Sequence, residues 1–101
     1  MKYYRLAADQ GLAAAQNNLG RCYFNGSGVV KDEKETVKYY RLAADQGDAA
    51  AQNNLGFCYA GGIGVVKDAK EAVKYYRLAA DKGYADATLQ AVESSRMRRK
   101  P

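Results

Sequence analysis

Few residues in this chain are equipped for chemistry. Histidine is absent, which removes the commonest general base and metal ligand at neutral pH. The two cysteines, Cys22 and Cys58, stand alone, and two isolated thiols do not make a zinc site. The carboxylates Asp32, Glu35, Asp68 and Glu71 each precede a helical run, where Asp-x-x-Glu serves as an N-terminal capping box. Gly26-x-Gly28 and Gly62-x-Gly64 have the glycines of a phosphate-binding loop, but no strand precedes them and no Gly-Lys-Ser/Thr follows. They read as turns. Tyr39/Tyr40 and Tyr75/Tyr76 read as one core and one inter-repeat residue per pair rather than as a ligand site. No catalytic residue, metal site or cofactor is therefore expected, and the chain is not expected to be an enzyme.

Charge points the same way. Of 16 basic residues in 101, four (Arg96, Arg98, Arg99 and Lys100) are crowded next to the C-terminal Pro101. The rest of the chain carries 12 basic against 11 acidic side chains, so the net +5 belongs to a tail and not to a basic face. Such a tail supports salt-sensitive attachment to nucleic acid or another acidic surface, though a solvated, frayed terminus accounts for it more simply. No apolar run approaches the roughly 18 residues of a membrane span. Met1-Lys2 leads into a repeat and not into an apolar leader, so a cytoplasmic location is expected. A signal upstream of a chain that begins inside a repeat would not be visible.

The elements that position these residues repeat. KYYRLAADQG starts at Lys2 and Lys38, and returns at Lys74 with Lys82 in place of glutamine, a period of 36 residues. A fixed period in this range marks a stacked array of supersecondary units. The expected division is a half unit at 1–11, a repeat at 12–47, a second at 48–83 and a capping helix with the basic tail at 84–101. The two complete units differ only at Leu12/Asp48, Arg21/Phe57, Phe24/Ala60, Asn25/Gly61, Ser27/Ile63, Glu33/Ala69, Thr36/Ala72 and Gln46/Lys82. Such identity indicates recent duplication or consensus design.

Each unit reads as two helices. The first covers about Ala13–Asn25 and Ala49–Ala60, with Ala15, Leu19, Cys22 and Tyr23, then Ala51, Leu55, Cys58 and Tyr59, on one helical face. Gly20 and Gly56 fall inside it, where glycine costs about 1 kcal/mol relative to alanine. Their presence in both units predicts a close approach by the partner helix. The second helix covers about Glu33–Gln46 and Ala69–Lys82, started by Asp32 and Asp68 and ended at Gly47 and Gly83. Its buried set is Val37, Tyr40, Ala43 and Ala44. Asp48 can cap the next first helix, whereas Leu12 cannot. Equivalent helices in a stack lie about 8–10 Å apart, so Cys22 and Cys58 are read as small buried thiols without a bridge. The N-terminal helix should leave Tyr4, Ala7 and Ala8 as an open apolar face. The last segment, Ala85–Arg98, keeps helical character but turns polar where another repeat would dock.

Ala-x-x-x-Leu-Gly-x-x-Tyr, then Gly-x-Gly-Val, then Asp-x-x-x-Ala/Thr-Val-x-Tyr-Tyr-x-x-Ala-Ala-x-x-Gly, resembles the Sel-one-like repeat, a relative of the tetratricopeptide repeat. The resemblance covers Lys2 to about Tyr84. It implies an all-α solenoid of about six helices, in antiparallel pairs wound as a right-handed superhelix, acting as a scaffold or adaptor for a protein or peptide. Some secreted bacterial relatives carry a disulfide in each unit and bind antibiotics. One cysteine per unit sets this chain apart from them.

By that resemblance, Leu19, Gly20 and Tyr23, and Leu55, Gly56 and Tyr59, match the packing positions. The first helices would line a concave binding face. The inward surface then falls on Ala14, Asn17, Asn18, Arg21, Phe24 and Asn25, and on Ala50, Asn53, Asn54, Phe57, Ala60 and Gly61. The expected partner-binding residues are Asn17, Arg21, Phe24, Asn25, Asn53 and Phe57. Three of the differences between the units fall there, as a binding face allows and as drift after duplication also would. Phe57 should face solvent as an anchor or pack on the neighbouring first helix. Asn17 and Asn53 would form a ladder for an extended peptide backbone. Two alternatives stand beside partner binding: self-association through the N-terminal helix as a piece of a longer array, and attachment through the basic tail.

Overall fold

The computed structural model of the protein describes residues 2–84. They form α1 (Lys2–Asp9), α2 (Ala13–Asn25), α3 (Glu33–Asp45), α4 (Ala49–Gly61) and α5 (Ala69–Asp81). Each helix packs on the next in chain order. The result is an α-solenoid in which α2/α3 and α4/α5 pack as the tightest pairs and α1 repeats the closing sequence of α3 and α5. The expected capping helix, at Ala85–Arg98, and the basic tail lie outside the described residues. No helix among those described is long and apolar enough to cross a membrane.

Local chemistry places the helix ends. The Asp32 carboxylate accepts from the backbone N–H groups of Lys34 and Glu35, and Asp68 does the same for Lys70 and Glu71. Asp48 accepts from the Ala51 N–H at 2.9 Å, while Leu12 offers no side-chain cap. Gly47 and Gly83 adopt the left-handed conformation after α3 and α5, with φ of 90° and 87°. The reciprocal half of the expected capping box does not form. The Asp32 and Asp68 N–H groups donate instead to the Tyr23 and Tyr59 carbonyls at 3.0 Å. Glu35 and Glu71 are left to pair loosely with Lys38 and Lys74, each at 3.9 Å. The displacing bond comes from the preceding helix, so the start of each second helix is tied to the end of its first.

The core follows the expected faces. Leu19 and Leu55 are fully buried, as are Ala43, Ala51, Cys58 and Ala79. Val37, Tyr40, Ala44 and Tyr75 join Leu55 and Cys58 in one cluster that crosses the repeat boundary. Fully burying a leucine contributes about 1.5–3 kcal/mol, so the paired Leu19 and Leu55 are the main apolar anchors of the first helices. The loop after α4 is pinned as well. Gly64, at φ 70°, lies so close to the Glu33 carbonyl and the Val37 side chain that no Cβ fits. That contact ties the second unit's turn to the start of α3.

Two expectations are corrected. Ala8 is buried and Ala7 half-buried against α2, in a cluster with Ala15, Leu19 and Tyr39. These two residues therefore do not form an open face, because α1 docks its apolar side on α2. The apolar residues it leaves exposed begin with Leu6, whose equivalents Leu42 and Leu78 are also exposed, one per repeat. Cys22 is only half-buried, unlike its equivalent Cys58, and both thiols are free.

Candidate functional site

Leaving a glycine at position 20 lets the Tyr40 ring of α3 lie directly against the α2 backbone. A Cβ on Gly20 would fall 2.6 Å from Tyr40 Cδ1, and one on Gly56 would fall 2.9 Å from Tyr76 Cδ1. The helices so positioned leave a groove of about 330 Å³ between α2 and α4. Arg21, Phe24 and Asn25 of α2 and Asn53, Asn54, Phe57 and Cys58 of α4 line it, with Tyr40. The volume is at the lower end of that for ligand-binding clefts. A second, more polar recess of about 230 Å³ adjoins it, lined by Asn18, Arg21, Cys22, Asn25 and Ser27. Arg21 and Asn25 belong to both, and Arg21 is the one charged residue among the described lining groups.

The structure brings five of the six expected partner-binding residues around this groove: Arg21, Phe24, Asn25, Asn53 and Phe57. Asn17 is outside it. Phe57 is 47% exposed and also meets Phe24 edge-on, with ring centroids 6.3 Å apart and planes at 84°. Lys31 Nζ lies 5.8 Å from the Phe24 ring centroid. The exposed asparagine ladder is not observed. Asn17 and Asn53 are each only 7% exposed. The physical reason is stacking: the next first helix covers Asn17, whose Oδ1 accepts from Asn54 Nδ2 at 2.9 Å. It is Asn54, half-buried and held by that bond, that presents the rest of its carboxamide to the groove. Tyr40 and Cys58, expected only in the core, also line the groove. The missing Cβ of Gly20, directly above Tyr40, was the available signal.

A polar network outside the groove lining ties successive units together. Arg41 Nη2 of α3 donates to Tyr59 Oη of α4 at 2.6 Å, and Arg5 Nη2 donates to Tyr23 Oη at 2.5 Å. Each acceptor ring stacks in parallel on the next helix, Tyr59 on Tyr75 and Tyr23 on Tyr39, at 5.8 Å. The hydrogen bond to Tyr59 raises the Arg41 pKa above its usual value. Gln16 and Gln52 each donate from Nε2 to the carbonyls of Ala8 and Ala44 at 3.2 Å. In the first unit Gln46 Nε2 also donates to Gln16 Oε1 at 2.6 Å. In the second, Lys82 stands where Gln46 would, and Gln52 Oε1 is buried without a bond from the described residues. Burial raises the Tyr40 hydroxyl well above its ordinary range and pushes the Cys58 thiol up to about 12. Neither is poised to ionise near neutrality, so the described lining offers Arg21, amides and aromatic edges, and neither Tyr40 nor Cys58 is set up as a nucleophile or base.

The comparisons agree with this architecture. No curated protein matches the sequence. Among solved structures, a Sel1 repeat protein from Oxalobacter formigenes is 43% identical with a TM-score of 0.85, over 89% of this chain and 37% of that one. The protein c5321, described as a protective antigen present in uropathogenic Escherichia coli strains and displaying an SLR fold, is 42% identical with a TM-score of 0.83, over 84% of this chain and 18% of that one. Helicobacter pylori cysteine rich protein B is 33% identical with a TM-score of 0.82, over 86% of this chain and 65% of that one. The chain thus spans less than two thirds of the length of each. The Sel1 repeat family model matches residues 1–12, 13–48 and 49–84, and the chain belongs to the Sel1 repeat family.

Proposed function

We propose that this chain is a protein-interaction module that takes an extended segment of a partner protein in the groove between α2 and α4. Sel1 repeat proteins are generally interaction scaffolds rather than enzymes. The observation that carries the reading is where the two near-identical units diverge. Arg21/Phe57, Phe24/Ala60 and Asn25/Gly61 are substitutions in or beside one recess, while the other five are scattered over helix starts, a turn, the core and a helix end. Half-exposed Phe57 beside exposed Arg21 is the pairing favoured at interface anchors.

Self-association through α1 has less support, since Ala7 and Ala8 are packed on α2. The deciding experiment is affinity capture with mass spectrometry, run side by side on the intact chain and on the Arg21→Ala/Phe57→Ala double variant. A partner held by the first and lost by the second supports the groove. Partners retained equally by both overturn it.

A further inference from the structure

The two recesses differ in character and meet at one cation. The larger has aromatic walls, Phe24, Phe57 and Tyr40, and the smaller is polar, with Asn18, Asn25 and Ser27. Arg21 is shared by both and is exposed. No acidic side chain among the described residues lines either one, so the guanidinium receives no counter-charge from the described lining. On the opposite wall Asn54 Nδ2 is committed to Asn17. Its Oδ1, which accepts no hydrogen bond from the described residues, is left to receive a donor such as a backbone N–H.

Resting on the groove reading above, we infer that the preferred occupant is an extended peptide segment with an apolar side chain and an aspartate or glutamate within two residues of each other. The apolar group packs against the Phe24–Phe57 pair, and the carboxylate meets Arg21 where the recesses join. In an extended strand, side chains two residues apart lie on one face roughly 7 Å apart. That distance suits a groove of about 330 Å³ continued by one of about 230 Å³. Arginine engages a carboxylate in a charge-assisted, often bidentate contact. The adjoining polar recess gives the chain a way onward, so an internal acidic residue is favoured over a chain end.

The probe is a fluorescein-labelled hexapeptide library, blocked at both ends so that it carries no terminal charge, read by fluorescence polarisation. The fixed position is leucine or phenylalanine, with serine as the polar control, and the others are scanned. The intact chain should bind Asp- or Glu-containing members about tenfold or more tighter than their Asn or Gln counterparts, as loss of one charge-assisted contact implies. Arg21→Gln should abolish that difference and its salt dependence while leaving the apolar preference in place. Phe57→Ala should abolish the apolar preference. Thermal melting by circular dichroism checks that both variants fold, as side chains this exposed should allow. Apolar selection through Phe57 without an acidic preference, or an acidic preference that survives Arg21→Gln, overturns this inference and leaves the groove standing. Tighter binding of peptides with a free C-terminal carboxylate than of blocked acidic ones overturns it in favour of a chain end. Binding indifferent to both substitutions removes the groove reading as well.

Discussion

Tyr40 packs its ring on the bare backbone of Gly20, so closely that a Cβ there would lie 2.6 Å from Cδ1, 2.7 Å from Cε1 and 3.2 Å from the Thr36 carbonyl. Replacing Gly20 by alanine would gain helix propensity of about 1 kcal/mol. It would also force a buried ring and a backbone carbonyl aside, and overpacking of that kind costs about 1–3 kcal/mol. The larger Gly20→Leu should show a net loss within or above that range in denaturant unfolding. Gly20→Ala should show little or no net gain. A clear rise in the midpoint for Gly20→Ala would mean that the Tyr40 ring gives way freely.

Gln46 and Lys82 occupy equivalent places with unequal results. Gln46 satisfies Gln16 Oε1, whereas Lys82 reaches past to Gly47 and leaves Gln52 Oε1 buried without a partner among the described residues. An intramolecular hydrogen bond contributes about 0.5–1.5 kcal/mol net. Lys82→Gln should therefore stabilise the chain by about that amount, and Gln46→Lys should destabilise it by a similar one. If Lys82→Gln leaves the urea midpoint where it was, the missing bond is not what distinguishes the units.

Phe57 and Leu55 sit two residues apart on α4 with opposite roles. Leu55 is fully buried, so Leu55→Ala should cost about 2–5 kcal/mol. Phe57 is 47% exposed and contributes mainly its edge contact with Phe24, worth about 0.5–1.5 kcal/mol. Phe57→Ala should fall in that lower range. A loss comparable to that of Leu55→Ala would make Phe57 a core residue and remove it from the groove.

What could be read in the sequence was whatever one helix or one turn decides by itself. Asp32, Asp68 and Asp48 announced helix starts, Gly47 and Gly83 announced ends, and the spacing of Leu19 and Tyr23 announced the buried face. What could not be read was decided by contacts between units. Asn17 looks like a solvent-facing residue until Asn54 of the next first helix covers it. Glu35 looks like half of a capping box until the Tyr23 carbonyl takes the Asp32 N–H. Residues such as Ala8, Tyr40 and Cys58 take their roles from neighbours 7 to 18 positions away or more, beyond the reach of helical periodicity.

Arg41 joins the two units through Tyr59, with its guanidinium carbon 5.6 Å from the ring centroid as well as hydrogen-bonded to the hydroxyl. Its second contact, Nη1 to Tyr75 Oη at 3.4 Å, is long. A hydrogen bond from a charged group contributes about 1.5–3 kcal/mol when partly buried, less the screening of a half-exposed site. A double-mutant cycle of Arg41→Ala and Tyr59→Phe should give a coupling of about 0.5–1.5 kcal/mol. Additive single-variant losses would show that the Arg41–Tyr59 contact does not help hold the unit boundary.

Cys58 and Cys22 hold equivalent positions in different surroundings. Burial pushes the Cys58 thiol up from 9.0 to about 12, and burial likewise raises Tyr76 from 10.0 to about 12. Half-buried Cys22 borders the smaller recess. Iodoacetamide at pH 8 should therefore modify Cys22 first, with Cys58 reacting only as the chain unfolds. The linkage has a definite sign. Both Cys58 and Tyr76 are neutral acids that ionise more readily in the unfolded chain. The stability they contribute is complete below pH 9, and it drains away as the pH rises towards about 12. Thermal midpoints should fall across that window, and Cys58→Ala should soften the early part of the fall while lowering stability at pH 7. Equal alkylation rates for the two thiols in the native state would show that α4 opens readily enough to expose Cys58.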